Sequence, residues 1–267
     1  WNSDRLLHYS DMDLRTIIPN VFESWEASDD GTTYTFYMRK GMKWSDGEPV
    51  TTEDFAFWWF DVATNEDLSS GVGWHYRWGG ETMDVEIIDD FSFRITFADS
   101  FGQFPAHMTR WMWLDWILPK HYLSQFHGEY ADTAELQGMA DEMEVEGWEQ
   151  VFWNKNGWGI NIWQGPENAT EFPTLSPWLI ADNPEEGLYI WDRNPYYWKT
   201  DQVGNQLPYI DNLRIDYVAS TEGVMMKAIQ SEVDYLGPHD VSMARYPLYK
   251  ENEPDANFQV ADRSEER

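Results

Sequence analysis

The side chains able to do chemistry in this chain are carboxylates, imidazoles and indoles: its 267 residues hold 48 Asp and Glu, six His and 17 Trp, but no Cys. The missing thiol removes thiolate nucleophiles, cysteine-ligated metals and structural disulfides within these residues. With 48 carboxylates some pair must stand at glycosidase separation by chance, so proximity alone does not signal acid–base catalysis. A G-x-S-x-G nucleophile elbow, a phosphate-cradling G-x-x-x-x-G-K and a G-x-G-x-x-G after a strand are all missing. The chain is therefore expected not to be an enzyme. His8, His75, His107, His121, His127 and His239 never repeat at the H-x-x-x-H spacing that puts two imidazoles on one helix face, so they read as solvated or packed rings, with no metal or cofactor expected. Asn168, Ala169 and Thr170 spell a glycosylation sequon, read here as an unmodified loop.

The indoles divide into two groups. Trp58, Trp59, Trp153 and Trp191 fall in regular apolar patterns and read as core. Trp74, Trp78, Trp158, Trp163 and Trp178 fall in segments without periodicity. A flat ring on a rim loop can stack on a sugar or on an apolar peptide side chain at low entropic cost, so these five are the candidate ligand-binding residues. The net charge of −30 repels phosphate backbones and anionic lipid surfaces, which disfavours nucleic acid and membrane partners. Such acidity suits a saline or acidic exterior and equally an ordinary soluble acidic protein. No apolar run approaches the roughly 20 residues of a membrane span. The longest apolar patch, Trp111 to Leu118, is broken by Asp115.

The elements that must position these residues are clearest over residues 23–60, ESWEASDDGTTYTFYMRKGMKWSDGEPVTTEDFAFWWF. Asp29, Asp30 and Gly31 make a turn. Thr33 to Met38 predicts a strand with Tyr34, Phe36 and Met38 on one face. Asp46 and Gly47 make a second turn, and Thr51 is placed to cap a helix whose first turn carries Glu53 and Asp54. Phe55, Trp58, Trp59 and Val62 recur at helical spacing and predict a buried stripe.

Glu23 to Asp54 resembles, nearly residue for residue, a run in the extracytoplasmic solute-binding proteins of ABC importers, peptide/nickel class (bacterial extracellular solute-binding protein family 5). A second stretch, RNPYYWKTDQVGNQLPYIDNLRIDYV from Arg193 to Val218, resembles another signature of that family. Two signatures in the right order make coincidence a poor explanation.

Other elements follow from pattern. Leu6 to Tyr9 predicts a short helix or strand. Ser69 to Glu81 predicts a loop, Val85 to Phe97 a hairpin turning at Asp89 and Asp90, and Pro119 the first position of the helix PKHYLSQF. Two helices are predicted within 133–156, one from Ala134 to Glu146 and one carrying Trp148, Val151, Phe152 and Trp153. A long surface loop is predicted from there to Trp178. Beyond it come strands Trp178 to Ala181 and Leu188 to Trp191, a helix striped by Val224, Met225, Ala228 and Ile229, and a short strand at Val233 to Tyr235.

The resemblance implies an α/β fold: the first lobe of a two-lobed, periplasmic-binding-protein-like (class II) structure with an inserted α+β subdomain, the second lobe truncated. Residues 1–27 and 165–240 would form the main lobe, 28–164 the insertion, and 241–267 the start of the crossing to the missing lobe. The chain opens on Trp1 without a visible targeting segment and is expected to be a fragment. The resemblance further implies a monomer, periplasmic or lipid-anchored at the cell surface, that delivers a peptide or oligosaccharide to an ABC permease. A secreted carbohydrate-active enzyme and a chemosensory binding protein are the alternatives. Trp178 leads the candidate residues because its SPW stands where relatives carry a Gly-rich segment at the cleft wall.

Overall fold

The computed structural model describes residues 5–10, 15–69, 71–109, 116–156, 170–185, 187–236, 243–254 and 259–260. The chain divides into two compact units, Trp1–Asp182 with Ile190–Leu213, and Asn183–Tyr189 with Arg214–Arg267.

The first unit is built on a four-stranded antiparallel sheet in the order β3-β4-β8-β7, from Phe22–Ala27, Thr33–Met38, Ser92–Thr96 and Asp84–Asp89. Along β4 the burial alternates strictly, with Tyr34, Phe36 and Met38 inside, as the period-two pattern requires. Asp30 closes the turn before β4: one carboxylate oxygen accepts from Ser28 Oγ (2.6 Å), Thr32 Oγ1 (2.8 Å) and Thr32 N (3.0 Å), and Gly31 supplies the left-handed φ of 68°. Those bonds, the one from Ser28 foremost, hold the Asp30 carboxyl down at about 2. Ahead of the sheet, β1 (Leu7–Tyr9) pairs antiparallel with β2 (Ile17–Pro19), so the strand alternative holds there.

Aromatic rings fill the core. Phe93 stacks on Phe55 at 3.8 Å, and Phe36 and Phe22 close on Phe93 at 5.4 and 5.5 Å. Trp58 lies parallel to Trp116 at 5.1 Å. Phe55 and Trp58 come from α1 (Thr52–Ala56) and the helical turns that continue it through Ala63. The continuation is wider than the α-helix expected: Thr64 N–H reaches Trp59 O, five residues back, at 3.1 Å. That widening buries Phe57 together with Trp58, Trp59 and Val62.

Several expectations are corrected. Residues 74–82 are not plain loop. Trp74–Tyr76 form a 3₁₀ turn, and β5 (Arg77–Trp78) pairs with β6 (Glu81–Thr82) around Gly79 and Gly80, both left-handed at φ 72° and 89°. Two-residue strands are too short to show periodicity, although Gly-Gly is a recognised hairpin turn. α2 (Phe104–His107) and α3 (Lys120–Leu123) are single turns, and Pro119 caps α3 rather than opening it. α4 (Thr133–Glu142) stops short of Glu146, because Glu144 takes a left-handed φ of 56°. α5 (Trp148–Lys155) buries Val151 and Phe152 but leaves Trp153 41% exposed, one step past the buried stripe, with its Nε1–H on Leu68 O.

A three-stranded sheet has the order β11-β10-β9, from Asn212–Asp216, Leu188–Arg193 and Trp178–Glu185. β9 runs past the expected Ala181, and the reversal is confined to the residues around Gly187, whose φ is 82°. In the second unit α6 (Thr221–Ile229) is capped by Ser220 Oγ, which accepts from Gly223 N at 3.1 Å, and α7 spans Tyr246–Asn252. Of the expected α6 stripe, Ala228 is buried. The strand expected at Val233 to Tyr235 is irregular chain instead. It follows a left-handed Ser231, φ 57°, and leaves Tyr235 78% exposed. Trp111 and Trp113 lie outside the described residues.

Phe93→Ala removes the ring at the centre of this packing and is expected to cost about 3–5 kcal/mol. Urea unfolding should show a lower midpoint with an unchanged slope.

Candidate functional site

The turn Lys43–Trp44–Ser45–Asp46–Gly47 is a junction within the first unit. Trp44 donates Nε1–H to Asp54 Oδ2 at 3.2 Å, and the same oxygen takes Thr51 N–H at 3.0 Å. Thr51 Oγ1 in turn accepts Glu53 N–H at 3.2 Å, so the expected cap is present as a capping box closed by Asp54. Asp54 Oδ1 accepts Lys120 N–H at 3.1 Å, which fixes the start of α3. Burial pushes the Asp54 carboxyl up to about 6, against the pull of these three donors and of His121 nearby. Both oxygens are engaged by backbone or indole N–H deep in the unit, so this perturbed carboxyl reads as a structural tie rather than a catalytic group.

Imidazoles and hydroxyls around the turn are engaged likewise. His121 Nε2 is 2.7 Å from Asp46 Oδ2. Ser45 Oγ accepts Thr174 N–H at 3.0 Å while Ser45 N–H returns to Thr174 O at 3.1 Å, so the hydroxyl is turned to Thr174 and builds no nucleophile–base pair with His121. His127 is fully buried. Its Nδ1 accepts Glu129 N–H at 3.2 Å, which leaves the proton on Nε2 to be donated to Asp61 O at 2.9 Å. That is a packed imidazole, as the spacing argument expects. Among the described residues no three His, Asp or Glu gather as a metal would require, and no helix is long and apolar enough to cross a membrane.

The candidate indoles separate. Trp158 and Trp163, and the sequon at Asn168, lie outside the described residues. Trp74 and Trp78 share residues 74–82, with 73% and 41% of their surface exposed. Trp78 stacks on Phe101, centroids 4.0 Å apart and planes within 4°, and donates Nε1–H to Ser100 O at 2.8 Å. Trp178 is not in a loop: it opens β9 and is half-buried, with its Nε1–H on Ile210 O at 3.1 Å. Of the core group, Trp58, Trp59 and Trp191 are buried as expected.

Sequence reasoning missed the apolar outer face of residues 196–210. Tyr196, Val203, Tyr209 and Ile210 are all at least 40% exposed there. The segment is tied together by its own hydrogen bonds. Asp201 accepts from Tyr209 Oη and from the backbone N–H of Val203 and Asn205, bonds that drive its carboxyl well below the usual range. Arg39 and Lys199 each stand 5.0 Å from the Trp198 ring, and Lys43 lies 5.3 Å from that of Tyr196. A run of bulky apolar residues between turn-formers was the available signal.

Both family-like signatures therefore meet in one frame, with Tyr196 packed against Gly47. The family described as bacterial extracellular solute-binding proteins, family 5 Middle, matches residues 16–264. The chain belongs to this family. Members of family 5 bind solutes rather than transform them. A solved structure of an oligopeptide-binding protein OppA is 34% identical with a TM-score of 0.83, over 97% of this chain and 39% of that one. A periplasmic alpha-galactoside-binding protein of Rhizobium meliloti (strain 1021) is 30% identical over 198 residues, 73% of this chain and 25% of that protein. The periplasmic binding protein MelB in complex with stachyose, from Agrobacterium fabrum C58, has a TM-score of 0.71 at 24% identity, over 96% of this chain and 35% of that one, a likeness of fold. The fold is thus the mixed α/β one of the two-lobed periplasmic binding proteins, and the family 5 chain described here spans 25–39% of the length of these proteins.

Replacing Asp54 tests the tie. Its folded pKa, about 6, lies above the ordinary aspartate value of 3.8, so its contribution to stability is fully present below 3.8 and is lost as pH rises through 6. Asp54→Asn does not titrate and strands one N–H donor. The stability difference between wild type and variant should therefore grow by on the order of 2–3 kcal/mol from pH 7.5 to pH 4, read by urea titration at each pH.

Proposed function

We propose that the complete protein is the solute-binding component of an ABC importer: it captures an oligopeptide outside the membrane and delivers it to a permease, acting as a monomer without enzymatic activity of its own. The observation that carries this reading is the family match over residues 16–264, reinforced by the likeness to OppA across 97% of the chain. Oligosaccharide is the second reading. It is favoured by the alpha-galactoside-binding relative, by the stachyose-bound neighbour and by the number of indoles outside the core.

On this reading residues 1–27 and 165–240 belong to the main lobe, 28–164 to the inserted subdomain and 241–267 to the crossing. Affinity then comes from closure of two preorganised lobes on the solute. Trp178 is the leading contact, because the exposed Tyr209 and Ile210 adjoin the carbonyl that holds its indole and would extend an apolar wall. Trp74, Trp78, Trp158 and Trp163 complete the candidate set.

Titration of the complete protein with panels of oligopeptides and oligosaccharides, followed by indole fluorescence, is expected to give saturable quenching with peptides. Trp178→Ala should weaken it roughly tenfold, as loss of a well-packed aromatic contact does. The 267-residue chain alone should bind far more weakly. Saturable quenching by oligosaccharides alone would replace the peptide reading with the sugar one. Release of reducing sugar from glycans would overturn the binding-protein reading itself.

A further inference from the structure

The hairpin β5–β6 holds out an aromatic ring with one face covered and the other open. The Trp78 indole is fixed by its bond to Ser100 O and by its parallel stack on Phe101. Phe101 is itself buried and braced at 5.2 Å by Phe97 and at 5.5 Å by Phe104. With one face against Phe101 and the nitrogen edge bonded, the 41% of Trp78 that remains exposed is the outer face. Trp78 stands directly opposite Glu81 in the hairpin register, so indole and carboxylate lie on the same side of the ribbon, Cβ atoms roughly 5 Å apart. Arg77 pairs with Thr82 and belongs to the other side. Glu81 is exposed, and no hydrogen bond or ion pair engages it among the described residues. The ribbon lies tight against the chain at Asp99: a Cβ on Gly79 would come within 2.9 Å of the Asp99 backbone nitrogen.

Elsewhere the chain fills such ring faces with its own cations, as Arg39 and Lys199 do for Trp198 and Lys43 for Tyr196. None of the described cations does so for Trp78. We propose that Trp78 and Glu81 form a docking corner for the arginine side chain of a basic peptide, the guanidinium lying flat on the open indole face with its N–H groups on the Glu81 carboxylate. Arginine suits the corner because it is planar, stacks on indole and donates in a fork that matches a carboxylate. The net charge of −30 draws a cation and repels an anion, while a neutral sugar, able to stack on the indole and to donate a hydroxyl to the carboxylate, gains nothing from that charge. The corner lies wholly within one unit and does not rest on the importer reading: the Trp78 signal is read whether or not the complete protein takes up peptides.

The test is a ¹H–¹⁵N spectrum of the indole N–H groups of the 267-residue chain, with the Trp78 signal assigned by its loss in Trp78→Phe. The chain is titrated separately with N-acetyl-glycyl-arginyl-glycinamide, with the same peptide carrying citrulline, and with raffinose. The arginine peptide is expected to shift the Trp78 signal saturably, the citrulline peptide and raffinose not. Glu81→Gln, an exposed change that leaves the Phe101 stack intact, should weaken the arginine peptide roughly two- to fivefold, the worth of one exposed ion pair. An equal shift with citrulline, a shift with raffinose alone, no shift at all, or an unchanged affinity in Glu81→Gln would overturn the proposal.

Discussion

One buried carboxylate decides how the first unit is joined. Taking Asp54 out of water costs several kcal/mol unless its oxygens are filled, and here they are filled by Thr51 N–H, Trp44 Nε1–H and Lys120 N–H. These donors come from a helix cap, a turn and a distant single-turn helix. Satisfying the one group therefore fixes three pieces of chain with few regular elements of their own. From the same turn, Gly47 reaches Tyr196 and Ser45 reaches Thr174. The densest cluster of sequence signals is thus a frame for other residues, and its perturbed carboxyl marks construction rather than chemistry.

What was legible in the sequence was whatever a local rule controls. The alternation of Tyr34, Phe36 and Met38, the Thr51 cap and the turn at Gly31 each depend on neighbours a few residues away, and each stands where the pattern put it. What failed depended on long-range contact or on a single dihedral angle. The left-handed Glu144 ends α4 early, and the wider turns after Ala56 serve the packing of Phe57 and Trp116. Trp153 lies outside because burial on α5 ends one residue before it. The candidate indoles were chosen for lack of periodicity, a criterion that cannot tell a true loop from a two-residue strand. Trp78 and Trp178 both proved to be strand residues.

The composition also takes on a spatial meaning. With only 18 Lys and Arg against 48 acidic residues, each cation is a scarce means of holding an aromatic surface in place. Arg39, Lys43 and Lys199 are spent on the two rings, Tyr196 and Trp198, that link the second signature to the first. Contacts of this kind are weak on an exposed surface and gain where water is partly excluded. They hold together segments far apart in the chain without adding to a core already crowded with Phe and Trp.

The two-way bond between Ser45 and Thr174 bears on how the chain can change over time. It moors the chain on one side of residues 157–169, and the buried Asn156, bonded to Phe152 O, moors it on the other. Both moorings use backbone groups of residues 156 and 174, so the side chains at those two positions can change without releasing the chain from these bonds.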